Sequence, residues 1–257
     1  MYKASRKYPD VLCRIPLFLP LKKREALPCF SRLDNSWGTV AFNSVPLSIT
    51  DEDVFLTCIN EGTYFEEYNC IGYKADSVYD LTRDIGKTTS ATTSQIIMNS
   101  LTALSTASVR FEIPTYNISF SGRLADVEYS EPNRPVKVAF DPVVSEMMTP
   151  QKNKGKTLTV TLRNIDMNLR SKLCLRGKAI MRCICGHKAN LSYKFPIEDI
   201  HMATAPHSRI DNYRGVLRET LQILKDAKFL SHGYLEKERG QEWVLYRRAI
   251  LSSRKEN

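Results

Sequence analysis

At 257 residues, with 42% hydrophobic and 25% charged side chains, the chain has the composition of a folded protein and the length of one large domain or two ordinary ones. Seven scattered cysteines, an odd number, argue for reduced thiols over a disulfide framework, and no apolar run approaches the ~18 residues of a membrane span. The formal net charge of +9 is unevenly placed: residues 1–28 carry seven Lys/Arg against two Asp/Glu, residues 29–149 eight against sixteen, and residues 150–257 twenty-two against ten. A basic part behind an acidic one implies division of labour, the first suited to a polyanion and the second to a protein partner.

Residues 1–28 read as a basic, proline-punctuated arm. Its apolar stretch RIPLFLPL (14–21) is short, is broken by Pro16 and Pro20, and runs into Lys22, Lys23 and Arg24 without a small-residue cleavage site, so it makes a poor signal peptide. A first folded unit is predicted over 29–149. Thr39–Ile49 has a strand pattern that Pro46 restricts to an edge or a bend. Thr50 is the predicted N-cap of a helix, with Asp53 completing a capping box and Val54, Phe55, Cys58 and Ile59 inward. Asp51, Glu52 and Asp53 suit the positive end of that helix. A short helix over 75–85 stops at Gly86. Thr93 begins a third helix, with Ile96, Ile97, Leu101 and Leu104 at helical spacing. Val109, Phe111 and Ile113 alternate as a strand, and 115–130 supplies a hairpin partner. A strand, three helices and a hairpin are the plan of a winged helix.

Val136–Phe140 is a further short strand. A second unit, 150–257, repeats the plan without repeating the sequence. QKNKGK (151–156) reads as a linker or exposed turn whose Lys152, Lys154 and Lys156 are either phosphate contacts or simply solvated. A strand at 158–162 precedes helices over 164–171, 173–185 and 196–204, the last opened by Pro196. The clearest helix begins at Ser208, where Ser208-x-x-Asp211 forms a capping box and Tyr213, Val216, Leu217, Leu221 and Leu224 make the core stripe. Lys228–Leu235 and Glu242–Arg248 alternate as strands about a turn at Glu238–Gly240. The fold class is therefore α+β, two tandem winged helices, with the acidic unit for protein interaction or dimerisation and the basic unit for DNA.

The helix from Ser208 carries the chemistry. Asp211, Arg214, Arg218, Gln222 and Lys225 recur at steps of three or four on one face, with Arg209 and Asn212 in the first turn. In a helix-turn-helix such a helix enters the major groove, where Arg pairs with guanine and Asn with adenine. The opposing interpretation is an ordinary solvated face. The hairpin after it carries Lys237, Arg239, Arg247 and Arg248, the residues a DNA-touching wing needs, or equally a protected edge strand. The third helix of the first unit offers Gln95, Asn99, Thr102 and Ser105 and no cation, which favours a packing or dimer face. Cys174, Cys183, Cys185 and His187 lack the paired hooks of a zinc site. There is no phosphate-binding loop and no nucleophile elbow, so neither enzymatic activity nor a cofactor is expected.

Residues 51–56 (DEDVFL), the helix ending Leu101–Leu104 and running into Val109–Phe111, and the run from Asn212 through 217–224 to Tyr246–Arg248 resemble the two winged helices of plasmid replication initiators, the TrfA type above all. The resemblance spans about residues 30–250. It implies a bacterial cytoplasmic protein, associated with plasmid or nucleoid, that binds repeated sites (iterons) in double-stranded origin DNA, promotes opening of adjacent A·T-rich DNA, and recruits the host initiator and replicative helicase. It also implies base or backbone contact by Arg209, Asn212, Tyr213, Arg214 and Arg218, wing contact by Arg247 and Arg248, and homodimerisation through the first unit. A winged-helix transcriptional regulator is the alternative. Leu17, Leu19 and Leu21 resemble the apolar end of peptides that dock in the bacterial sliding clamp, with Pro16 in place of the usual Gln; packing on the chain's own domain is the preferred reading of that segment.

Overall fold

The computed structural model describes residues 5–21, 31–43, 45–129, 131–149 and 160–249. In chain order these form β1 (Ser5–Pro9), α1 (Asp10–Cys13), β2 (Ser31–Asn35), β3 (Gly38–Phe42), α2 (Ile49–Glu61), β4 (Thr63–Phe65), β5 (Cys70–Ala75), α3 (Val78–Asp84), α4 (Ala91–Thr106), β6 (Ser108–Ile113), β7 (Ile118–Arg123), β8 (Ala125–Glu128), β9 (Val136–Phe140) and α5 (Pro142–Met148). Then come β10 (Leu162–Asp166), α6 (Met167–Ser171), α7 (Leu175–Cys185), β11 (Ser192–Pro196), α8 (Ile197–Thr204), α9 (Ile210–Asp226), β12 (Leu230–Glu238) and β13 (Gln241–Arg248). No described helix is long and apolar enough to cross a membrane.

Two winged helices are built on one topology. In the first, α2, α3 and α4 pack with the sheet β4-β5-β9-β8, in which β4 is an added edge strand; in the second, α7, α8 and α9 pack with β11-β13-β12. Each sheet places the strand between the first two helices beside the last strand of the wing. The sequence pattern thus gives the right fold and one wrong wing. The hairpin after α4, β6–β7, pairs with β3 to complete the sheet β2-β3-β6-β7, because Val109, Phe111 and Ile113 bury their common face and Phe111 stacks on Phe120 at 4.9 Å. The wing of the first unit is β8–β9.

The starts of α2 and α4 follow cap chemistry, displaced by two and three residues from expectation. Ser48, not Thr50, caps α2: its side chain accepts from the Asp51 amide and Asp51 reciprocates at the Ser48 amide, a complete capping box. Ser77 and Ser90 cap α3 and α4 by accepting from the Asp80 and Thr93 amides, Ser90 in place of Thr93 as the cap. Ile96, expected inward, is exposed on α4 while Ile97, Leu101 and Leu104 are buried. The segment 151–156 lies outside the described residues.

Residues 5–21 do not form an arm but pack into the fold. β1 pairs antiparallel with β10 of the second unit, Ser5 opposite Asp166 and Pro9 opposite Leu162. Leu17, Phe18 and Leu19 are fully buried, and Leu19 exchanges backbone hydrogen bonds with Leu47 and Ile49 at 2.8 and 2.9 Å. Leu21 is partly buried against the same core. A clamp-docking role for Leu17, Leu19 and Leu21 is corrected accordingly: apolar side chains that fill a core cannot reach a partner without partial unfolding.

The charge split is also partly internal. Glu52 and Asp53 on α2 are buried, and they are met by three cations from the second unit. Arg170 Nη2 lies 2.6 Å from Glu52 and its Nε 2.9 Å from Asp53; Lys178 Nζ is 2.7 Å from Asp53; Arg182 Nη1 is 3.2 Å from Glu52 and donates to the Phe18 carbonyl at 3.1 Å. Burial opposes the charge on Asp53, but Arg170 and Lys178 prevail and hold its carboxyl below the usual carboxylate range. Arg163 pairs with Asp10 and Arg6 with Glu61 on the same seam. Trp37, at the β2–β3 turn, completes the joint by meeting Phe195 and His187 edge-on at 5.3 and 5.8 Å. At least part of the acidic unit's protein partner is the second half of its own chain.

Candidate nucleic-acid interface

α9 is the third helix of the second winged helix and the only one with a wide exposed polar face beside a long wing among the described residues. Tyr213, Leu217, Leu221 and Leu224 are buried against α7, α8 and the sheet, while Asp211, Asn212, Gly215, Arg218, Glu219 and Gln222 are exposed. The helix begins at Ile210 with Arg209 as N-cap and no side-chain cap. The expected Ser208–Asp211 box does not form, because Ser208 is engaged in the turn before it. Its Oγ donates to the Ala205 carbonyl at 2.9 Å, and His201 Nε2 approaches its carbonyl at 2.9 Å and its Oγ at 3.0 Å. Since a carbonyl only accepts, His201 donates through Nε2–H. Its burial disfavours the charged imidazolium. Burial thus favours the neutral imidazole in the turn that aims α9.

The expected contact residues divide into two sets. Arg209, Asn212, Arg218, Lys237 and Arg239 are exposed, and their side chains carry no ion pair or hydrogen bond among the described residues. Lys225, half-buried on the same helix, is likewise unpaired. These are groups a phosphate or a base edge can claim without breaking an existing bond. Gln222 is exposed but donates to Asp226 at 2.7 Å.

The others are occupied. Tyr213 is fully buried and hydrogen-bonded to Thr204 Oγ1 at 2.8 Å, so it belongs to the core stripe. Arg214 bridges Asp211 and Glu242, tying α9 to β13. Arg247 is bound to Asn190. Arg248 donates to the carbonyls of Cys185 and His187 at 2.9 and 2.8 Å, closing the C-terminal end of α7, and lies over the Phe229 ring at 5.2 Å. The expectations of DNA contact by Tyr213 and Arg248 are corrected on this ground, and Arg214 and Arg247 are structural ties first.

The wing is a long hairpin with a two-residue turn, Arg239–Gly240, both at positive φ (49° and 88°). Lys194 of β11 reaches Glu238 at 2.5 Å and Glu236 at 3.7 Å and sits 5.0 Å over Trp243, which leaves Lys237 and Arg239 as the wing's uncompensated cations among the described residues. Lys172, Lys188 and Lys228 add exposed positive charge from outside the helices and strands, where no periodic pattern marks it. Cys174, Cys183, Cys185 and His187 do not converge: Cys174 starts α7, Cys183 and Cys185 are buried at its other end, and no set of three or more His, Cys, Asp and Glu among the described residues is placed to hold a metal ion.

No protein-family model matches the chain, and no curated protein matches it in sequence. Solved structures do match in shape. The selenomethionine derivative of domains 2 and 3 of RctB superimposes with a TM-score of 0.60 at 10% identity, over 95% of this chain and 99% of that one. The fold is that of RctB domains 2 and 3. A second crystal structure of those domains gives a TM-score of 0.53 at 8% identity, over 93% and 97% of the two chains. At such identity the likeness is one of fold alone.

Proposed function

We propose that the chain is a replication initiator that binds duplex DNA through α9 and the β12–β13 wing. The observation that carries this reading is the set of unclaimed side chains, Arg209, Asn212, Arg218, Lys237 and Arg239, displayed on the third helix and wing of a winged helix. The pairing of two winged helices in a fold shared with RctB, a replication initiator, supports the role. Under this proposal Asn212 and Arg218 read base edges, Arg209 and Lys225 meet phosphate beside the helix, and Lys237 and Arg239 reach backbone or minor groove.

The finer parts belong to the same proposal: kinship with the TrfA-type initiators, binding to direct repeats at a plasmid origin, opening of adjacent A·T-rich DNA by binding free energy without catalysis, and recruitment of the host initiator and helicase. Homodimerisation is part of it too, with the uncharged α4 as its face. A regulator built on the same fold would bind DNA as well, so the test must read strand opening. The chain is added to a supercoiled plasmid carrying the direct repeats of its own replicon, and unpaired thymines are mapped with permanganate. Reactive thymines beside the repeats support initiation; protection of the repeats without opening would assign the chain to transcriptional control.

A further inference from the structure

Two residues on the α9–wing surface are poor choices for the fold that holds them. Gly215 lies in the middle of α9, where glycine is among the least favourable residues. The other described glycines of this unit are explained by a close neighbour or, at Gly240, by a positive φ of 88°. At Gly177 of α7 a Cβ would come within 3.0 Å of Thr220 Oγ1 and 3.2 Å of Leu173 Cβ, so close packing against α9 demands its absence. A Cβ at Gly215 would meet nothing within 4 Å. Neither packing nor backbone angle within the chain calls for glycine there. The second residue is Arg239, at φ 49° in a turn whose first position favours Asn, Asp or Gly. A long cation is held at the tip of the wing in a conformation it disfavours, and its side chain is unpaired.

Both anomalies fall on the surface assigned to DNA. Gly215 is one turn from Asn212 and from Arg218, in one line with Gln222, so it marks the centre of the exposed stripe. We infer that Gly215 is where duplex DNA comes closest to the protein: α9 lies lengthwise against the groove with the backbone of its second turn pressed to the nucleic acid, while Arg239 anchors the wing on the phosphate backbone. End-on entry suits this helix less, because Asp211 stands exposed at its first turn. The inference rests on the reading of the chain as a duplex-binding protein. Glycine is what lets a backbone approach a ligand closely, and a residue that costs the free protein stability is explained by a contact made only in the complex.

The test uses the full chain and duplexes enriched from a randomised pool by that chain, with a random 30-base-pair duplex as control. Gly215→Ala is expected to raise Tm by roughly 1–4 °C, since alanine favours the helix, and to weaken the enriched site about tenfold, the scale of an overpacked contact. Gly215→Leu should weaken it further with the fold intact. Arg239→Asn is expected to raise Tm as well, to weaken enriched and random duplexes alike, and to lower the salt slope by about one. If sequences enrich and Gly215→Ala binds them as tightly as the natural chain, close approach at Gly215 is wrong while duplex binding stands. If nothing enriches and affinity vanishes for every duplex, the DNA reading fails and takes this inference with it.

Discussion

Arg170 and Asp53, 117 positions apart, meet at 2.9 Å in a fully buried contact between the two winged helices. Their neighbours Glu52, Lys178 and Arg182 turn that pair into a clasp. A buried charge that loses its partner is left desolvated, and the cost of removing one member is about 3–5 kcal/mol. Arg170→Ala is therefore expected to lower unfolding stability by about that amount, read from urea denaturation of the full chain. Arg83→Ala, which removes a surface pair with Asp80, should cost at most about 1 kcal/mol. Equal effects from the two would refute the clasp.

A second expectation separates core from contact on α9. Arg218→Ala should cost about 1–3 kcal/mol of binding to an enriched duplex and leave Tm nearly unchanged, as befits an exposed unpaired side chain. Tyr213→Phe should do the reverse, losing about 0.5–1.5 kcal/mol of stability with the hydrogen bond to Thr204 and nothing of DNA affinity in the folded state. Filter binding and thermal melts on both variants decide it.

The pH dependence of stability has one dominant source above the carboxylate range. His187 is buried among Trp37, Tyr193, Phe195 and Tyr246, its Nδ1 is 2.7 Å from the Tyr246 hydroxyl, and burial, aided by Arg14 and Arg248, lowers its pKa to about 3. The folded state thus refuses a proton that the unfolded chain takes up near pH 6.5. Stability is full above that pH and falls as the pH drops toward 3, by up to about 1.4 kcal/mol per unit. His201 and His207 are shifted the same way by burial, and Asp53 adds its loss only below about 3.8. His187→Phe should flatten the slope between pH 6 and 4, at the expense of about 1–3 kcal/mol at pH 8 from the stranded Tyr246 hydroxyl. Chemical denaturation at pH 8, 6, 5 and 4 measures both.

The N-terminal segment supplies a fourth expectation. With Leu17, Phe18 and Leu19 wholly buried and β1 hydrogen-bonded to β10, Leu19→Ala should cost about 2–5 kcal/mol. Deleting residues 1–21 should abolish cooperative unfolding in a thermal scan. A truncated chain that melts cooperatively near the natural Tm would show the segment to be a dispensable arm after all.

What was legible in the sequence is what is local. The stripe Tyr213, Leu217, Leu221 and Leu224 fixes α9 and its outward face, and the same spacing marks Tyr213 as core, against the DNA contact that the family resemblance implies for it. The tandem winged-helix plan was readable because helix periodicity and hairpin alternation act over a few residues. The first wing was misplaced because β6–β7 and β8–β9 are successive hairpins with equal local patterns, and only pairing with β3 distinguishes them. β1, the clasp and the roles of Arg170, Arg182 and Arg248 left no local signal. Each depends on partners tens to more than a hundred positions away, and a buried arginine looks like a solvated one until its carboxylate is found.

The central claim is that this surface reads DNA sequence. Its most direct measurement is the affinity of the full chain for a duplex carrying the direct repeats of its own replicon and for a scrambled copy, titrated across salt. A preference for the repeats that persists at ~150 mM salt is the expected result. Equal affinity for both duplexes, vanishing together as salt rises, would contradict it and leave only a basic surface.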